Sequence, residues 1–421
     1  MNPEFRILTK KNIILFYFFF SISLGYANGN RLLIALGFGL FILYLCARRS
    51  SEKIARCLKG ERIHYPRTFE ETQMRISIRL SQESTIPLYM PEITDIFPVS
   101  DSWWIHALVP TKLDNRSSIE LEYSAVCTRR RGFYVLGPIE VNMSDPLGIH
   151  QRKVELPVFT NLLIYPKAPE LGFFEVLGDG TLIQVGVETL LLPGHSEEFT
   201  SLREYHEGDN PRRIHWPSSA RHERFLVKEF REEITTEVSL ILDMRRLALS
   251  GVGDITSVEY IIKSAAAVAQ VSIEKGHLVQ LFSLGGKLEH VSVGGGTQHL
   301  ITILDRLTLL RPQSENPFHE DLNNIAPQLR KGSTAVLIAS ATDIQPSNLS
   351  PVLRSMMERR IKIIAILIDD RTFIKFWKDQ EAHRKRAIPL AELKEILSVE
   401  GCGLFLLSKG DDVPTKLQVP L

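Results

Sequence analysis

The chain has 421 residues, with 50 Lys and Arg against 49 Asp and Glu. That length exceeds one ordinary domain and predicts two or three, and so balanced a charge argues against nucleic acid as the partner, which selects for a basic excess. Cys46, Cys57, Cys127 and Cys402 are scattered, with no CxxC pair and no Cys/His cluster, so neither a zinc site nor a disulfide framework is expected, and free thiols fit a reducing compartment. Nothing in the composition calls for a cofactor.

Residues 1–59 read as a membrane anchor. Two apolar runs, 13–27 and 32–47, are separated by Asn28-Gly29-Asn30-Arg31, a tight-turn composition. Each is about 15–16 residues, short of the roughly 20 that cross a bilayer core straight. Asn12, Asn28 and Asn30, with snorkelling Lys11, Arg31 and Arg48, would lengthen both spans. A transmembrane helical hairpin is predicted. Arg6, Lys10 and Lys11 precede the first run; Arg48, Arg49, Lys53 and Arg56 follow the second; the turn holds Arg31 alone. The positive-inside rule then places both ends, and the large C-terminal part, in the cytoplasm. The alternative is a cleaved signal peptide followed by a core helix.

Residues 60–193 change to a period of two. Residues 74–80 (MRISIRL) and 119–123 (IELEY) alternate apolar and polar, as half-buried strands do. Proline and glycine punctuate the gaps, and no long helical period appears. A small β-sandwich is predicted.

Residues 194–236 link this region to the C-terminal half of the chain. From Ser201 to Glu233 charges of both signs surround Tyr205, Trp216, Phe225 and Phe230. Solvated charge runs rarely hold large aromatics, and cores rarely hold so many charges, so a domain junction or a binding surface is expected. The candidate partner-binding residues are Arg203, Glu204, Tyr205, Gly208, Asp209, Arg212, Arg213, His215, Trp216, Ser219, Arg221, Lys228 and Glu229. Gly208-Asp209-Asn210-Pro211 is a turn with Asp209 placed to cap the next segment. Arg212, Arg213 and Arg221 have the forked donors that carboxylate or phosphate requires, and Glu204, Asp209 and Glu229 would balance them internally. Ser218, Ser219 and the nearby histidines invite a hydrolase reading, but there is no G-x-S-x-G elbow and no third orienting residue. His206, His215 and His222 fit no single helix face.

Residues 237–421 alternate strands and helices. Strands are expected at 238–243, 278–284, 288–293, 334–339, 361–368 and 404–407, and helices at 256–274, 297–310, 349–360 and 390–400. Near-continuous apolar strands predict a doubly wound α/β domain, its sheet parallel and covered on both faces, with any ligand at the carboxyl edge of the strands. Gly294-Gly295-Gly296 opens a helix, but it lacks the lysine of a P-loop and the G-x-G-x-x-G spacing, so a plain strand-to-helix loop is expected.

Three segments carry resemblances. Arg203-Glu204-Tyr205, Gly208-Asp209, Arg212, Ile214, Trp216, Ser219-Ala220-Arg221, then Val227, Glu229 and Phe230 resemble the R-E-Y-x-x-G-D-x-x-R-x-I-x-W-x-x-S-A-R…V-x-E-[FY] signature of the DUF58 family of bacteria and archaea. Arg131-Gly132, Tyr134, Leu136-Gly137-Pro138, Asp145-Pro146-Leu147-Gly148 and Tyr165-Pro166 are similar to that family's upstream pattern, with Arg129–Arg131 as a partner or acidic-headgroup contact or a solvated strand end. The resemblance does not settle the activity; it implies a protein of the prokaryotic cytoplasmic (inner) membrane, accessory to a MoxR-type AAA+ ATPase in client assembly or remodelling, and the residues of the charged segment point away from an enzyme. The alternatives are a hydrolase using the charged segment or a metal-dependent ligand-binding protein. The third resemblance, of the C-terminal region to a von Willebrand factor A domain, implies a metal site with D-x-S-x-S after the first strand, a donor set suited to Mg²⁺. Asp243 stands at the aspartate position, but Arg245 and Leu247 replace the serines. Thr297 and Asp343 are loose candidates for the later ligands. A guanidinium repels a cation and leucine cannot ligate one, so Asp243 is a weak metal candidate and would instead pair with Arg245, Arg246 or an arginine of the signature.

Overall fold

The structure is a computed structural model that describes residues 10–417 apart from 110–111, 115, 169–170, 172–173, 175–197, 207–210, 212–213, 223, 232–235, 254, 286–288, 314–315, 342–343 and 374–389. The chain divides into two compact units, Met1–Lys167 with Leu307–Leu309, and Ala168–Arg306 with Leu310–Leu421.

The first unit opens with an apolar helix pair, α1 (Lys10–Ala27) and α2 (Arg31–Arg56). Asn30 ends the turn between them, its side chain accepting from the Leu32 amide at 3.0 Å. Small residues bring the helices together. The Ser21 hydroxyl donates to the Leu33 carbonyl at 2.7 Å, and a Cβ on Gly25 or Gly37 would lie 2.8 Å from Ile34 or Ile22. Small residues at such positions let two helix backbones approach closely. Phe18 stacks on Phe41 with ring centroids 4.8 Å apart. Among the described residues α2 alone is long and apolar enough to cross a membrane; α1 begins with the polar Lys10-Lys11-Asn12. The apolar run expected at 32–47 is only the first part of α2. The helix continues to Arg56 and buries Ile54 completely, in one core with Leu58, Ile78 and Ile93 of the β-rich region.

That region contains β1 (Leu58–Ile63), β2 (Arg67–Phe69), β3 (Gln73–Gln82), β4 (Leu88–Tyr89), β5 (Glu92–Ile96), β6 (Trp104–Leu108), β7 (Lys112–Leu113), β8 (Ser118–Val126), β9 (Gly132–Leu136), β10 (Ile139–Ser144), β11 (Gln151–Leu156) and β12 (Thr160–Tyr165). The sheets run β1-β3-β8, β11-β10-β5-β6, β2-β12-β9 and β4-β7. The alternation in β3 buries Met74, Ile76, Ile78 and Leu80 and exposes Arg75 and Arg79. Ile78 and Leu80 share a core with Ile93, Ile139 and Val141 of the second sheet. Arg62 lies inside: its Nε donates to Asp95 Oδ2 at 3.2 Å, its Nη2 to Asp95 Oδ1, and its Nη1 to the Val158 carbonyl at 3.1 Å. The Tyr123 hydroxyl donates to the same carboxylate. Burial first, and the Asp95 charge second, raise the Tyr123 phenol well above its ordinary range.

The second unit holds β13 (Glu198–Glu204), α3 (Trp216–His222), β14 (Leu226–Arg231), β15 (Glu237–Asp243), β16 (Gly251–Val252), β17 (Ile255–Thr256), α4 (Ser257–Glu274), β18 (Leu278–Leu284), β19 (Glu289–Gly294), α5 (Gly296–Leu309), α6 (Phe318–Ile325), β20 (Thr334–Ser340), α7 (Pro346–Glu358), β21 (Lys362–Ile368), α8 (Leu390–Val399), β22 (Gly403–Leu407) and α9 (Val413–Lys416). Its main sheet has the order β19-β18-β15-β20-β21-β22. Five strands are parallel, but β19 is antiparallel to β18. The sheet is therefore mixed, correcting the expectation of an all-parallel one: the short β18–β19 connection permits a hairpin and no crossover. The chain leaves β15 toward β18 and β19 and returns on its other side as β20, so the order reverses between β15 and β20. Thr256 caps α4, accepting from the Glu259 amide at 3.4 Å. Helix α6, not anticipated, buries Phe318, Leu322 and Ile325, spaced to share one face.

Candidate functional site

The signature segment folds as a small hairpin with a helix in its loop. Strands β13 and β14 pair antiparallel from Glu198↔Arg231 to Glu204↔Leu226. Ser219 of α3 fastens helix to strand: its hydroxyl donates to the His215 carbonyl at 3.0 Å and accepts from the Leu226 amide at 2.9 Å. Ser219 is buried, and the His215 amide donates to the Leu226 carbonyl at 2.8 Å. His215 Nδ1 and the Ser218 hydroxyl lie 2.8 Å apart. These contacts give the serine and histidine places in the scaffold.

Three aromatics form a ladder on this scaffold. Phe225 meets Tyr205 edge-on at 6.3 Å and Trp216 at 6.2 Å between centroids. Trp216 is 62% exposed and Phe225 58%, so these two large rings face solvent. Charges accompany them. Arg224 Nη1 donates to Glu204 Oε1 with both side chains exposed. Arg203 Nη1 donates to the Glu204 carbonyl at 3.0 Å and lies 3.3 Å from His206 Nδ1. Arg221 is exposed on α3. Lys228 and Glu229 are placed by the backbone of β14. Gly208, Asp209, Arg212 and Arg213, with the capping turn, lie outside the described residues.

The second candidate lies at the carboxyl end of β15, beside the reversal of strand order, where open α/β sheets take ligands. Asp243 and Arg245 are both buried there. Arg245 Nε donates to Asp243 Oδ1 at 2.8 Å and its Nη2 to Oδ2 at 2.9 Å; the Arg245 amide adds a 3.2 Å bond to Oδ1. The guanidinium also lies over the Phe318 ring at 5.4 Å. Both carboxylate oxygens are thus engaged by a fork that already supplies a positive charge. The donor set does not fit Mg²⁺, and the expected pairing of Asp243 with an arginine is what the fold builds.

Thr297 is far from this site. Because β19 is antiparallel, Gly294 pairs with Val279, which pairs with Val238 at the start of β15. Helix α5 therefore begins at the amino edge of the sheet, five strand residues or roughly 16 Å from Asp243. Thr297 is exposed there, and Asp343 lies outside the described residues. The space a Cβ on Gly294 would need is taken by the His299 ring, 2.6 Å away, so that glycine admits a packed side chain. Among the described residues no group of three or more His, Cys, Asp and Glu is arranged to hold a metal.

The second unit carries an aromatic and charged face on which Trp216 and Phe225 are exposed. The family described as "Protein of unknown function DUF58" matches residues 201–375, which include that face. The curated "Uncharacterized protein YeaD" of Bacillus subtilis is 22% identical over 217 residues, 51% of this chain and 52% of the relative, so the match spans about half of each. The family match covers less than half of the chain. Among solved structures, proximal thread matrix protein 1 from the mussel byssus is 10% identical over 44% of this chain and 46% of its own, with a TM-score of 0.31. The CARDB domain of a Pyrococcus furiosus protein is 12% identical over 25% of this chain and 86% of its own, with a TM-score of 0.19. TM-scores this low carry no argument about fold or function.

Proposed function

We propose that this chain is a membrane-anchored, cytoplasm-facing adaptor, accessory to a MoxR-type AAA+ ATPase in the assembly or remodelling of client proteins. In this reading α1 and α2 form a transmembrane hairpin in a prokaryotic cytoplasmic membrane. The β-rich region is sandwich-like, and the C-terminal unit is a doubly wound, von Willebrand A-like domain working without its metal. The Tyr205–Phe225–Trp216 ladder, with Phe225 and Trp216 exposed and Arg203, Glu204, Arg221 and Arg224 flanking it, is the observation that carries the proposal. Large exposed rings beside arginine are the residue types that dominate binding energy at protein interfaces. The signature's polar groups support an interaction surface over catalysis: Ser219 is spent on the backbone of β14. The ATPase comes from family resemblance, so the test is direct. Full-length tagged protein in detergent retains an AAA+ ATPase, identified by mass spectrometry, and a folded Arg221→Ala or Trp216→Ala variant loses it. Equal retention by wild type and variants would move the contact elsewhere; no ATPase in any sample would remove the adaptor reading.

A further inference from the structure

The turn after β10 packs against the helix pair at its apolar boundary. Asp145 is buried and shapes this turn, accepting from the Leu147 amide at 2.9 Å and the His150 amide at 2.5 Å, while the Gly148 amide closes onto the Asp145 carbonyl at 2.8 Å. Just beyond the turn, Ile149 is buried in a cluster with Tyr44 and Ala47 of α2, against which Ile14 and Leu15 of α1 pack. Lys10 Nζ would lie 3.3 Å from a Cβ on Gly148. The turn is thus level with the last turn of the apolar run of α2 and the first of α1. Leu147, at its tip, is 57% exposed. Met90 is 56% exposed at the same end of the sheet, since both Ser144 and Met90 lie two residues beyond the Asn142–Glu92 pair.

Length decides what covers these side chains. The 16 residues of the run 32–47 rise about 24 Å at 1.5 Å each, against about 30 Å of bilayer hydrocarbon. The shortfall of about 6 Å, met at both ends by snorkelling Arg31 and Arg48, brings the edge of the hydrocarbon to the level of Ala47 and the turn. Arg49 and Lys10 are exposed at that level, and Arg152 lies 4.0 Å from Glu52. From this we infer that the Asp145–Gly148 turn is a membrane-contacting element. It seats Leu147 at the hydrocarbon edge of a glycerophospholipid bilayer, beside Lys10 and Arg49 at the depth of the lipid phosphates. The inference rests on the reading of α1 and α2 as membrane-spanning. Because α2 passes unbroken into the β-rich core at Ile54, the turn is held at a fixed depth and does not swing on a linker.

Fluorescence quenching tests this on the full chain. In a Cys46→Ser/Cys57→Ser background, Leu147→Cys, Phe38→Cys and Ser102→Cys are each labelled with an environment-sensitive fluorophore. The proteins are placed in nanodiscs of phosphatidylcholine and phosphatidylglycerol that carry a shallow or a deep nitroxide lipid. All three positions are exposed, so labelling leaves the fold intact. The Leu147 label is expected to be quenched several-fold more than the Ser102 label, and more by the shallow nitroxide than by the deep one. A Leu147 label no more quenched than Ser102, with Phe38 strongly quenched, overturns the inference and leaves the anchor standing. An unquenched Phe38 label removes the anchor and the inference with it.

Discussion

Arg245 carries a buried charge that Asp243 answers with both carboxylate oxygens. Arg245→Ala leaves the Asp243 carboxylate buried and alone, and is expected to cost about 3–5 kcal/mol of stability, read from urea unfolding. The same geometry predicts that EDTA or millimolar Mg²⁺ leaves the wild-type melting temperature unchanged; a rise with Mg²⁺ would show a metal at this site after all. Ser219 has a comparable structural task. Ser219→Ala strands the buried Leu226 amide and is expected to cost about 1–3 kcal/mol. His277 supplies a pH dependence. Burial, and then the Lys275 charge, hold its imidazole below its ordinary range. The unfolded chain therefore takes up a proton near pH 6.5 that the folded chain resists, so this contribution to stability is present above that pH and lost as the pH falls through it. The fall in unfolding midpoint between pH 7.5 and 5.5 is expected to be smaller in His277→Gln. That Asp243 pairs with an arginine was legible in the sequence because arginine replaced a hydroxyl two residues from the carboxylate; the choice of Arg245 over Arg246 or an arginine of the signature was not. The task of Ser219 was not, since its partner amide is seven residues away and is brought near by a strand.

Among the elements, those with a strong period were readable. The strand expected at 278–284 and the helix at 256–274 match β18 and α4 with its cap. The direction of β19 was hidden, because an apolar run reads alike in either direction, and with it went the position of Thr297. Helix α6 was passed over although Phe318, Leu322 and Ile325 carry its period: it is short and comes after a polar, proline-bearing stretch. The end of α2 was misjudged because hydropathy falls at Arg48 while the helix continues. Packing of the helix pair gives a sharp test. In detergent, Gly37→Leu, whose Cβ would press on Ile22 and the Phe18 carbonyl, is expected to lower the melting temperature by several degrees. Gly39→Leu, with nothing within 4 Å of its Cβ, is expected to leave it unchanged.

Across the whole molecule, the structure combines an apolar helix pair, a β-rich region and a mixed α/β sheet, and on the last of these it leaves an aromatic ladder facing water. A monomer gains little by exposing a tryptophan and a phenylalanine together, whereas an interface gains much. The most direct measurement is therefore a paired reading on Trp216→Ala, of its melting temperature and its retention of the proposed AAA+ ATPase partner in detergent. The account predicts a stability change of about 1 kcal/mol or less, because Trp216 is largely exposed, together with loss of the ATPase. A variant that melts far below wild type, or one that keeps the ATPase at wild-type level, would contradict it.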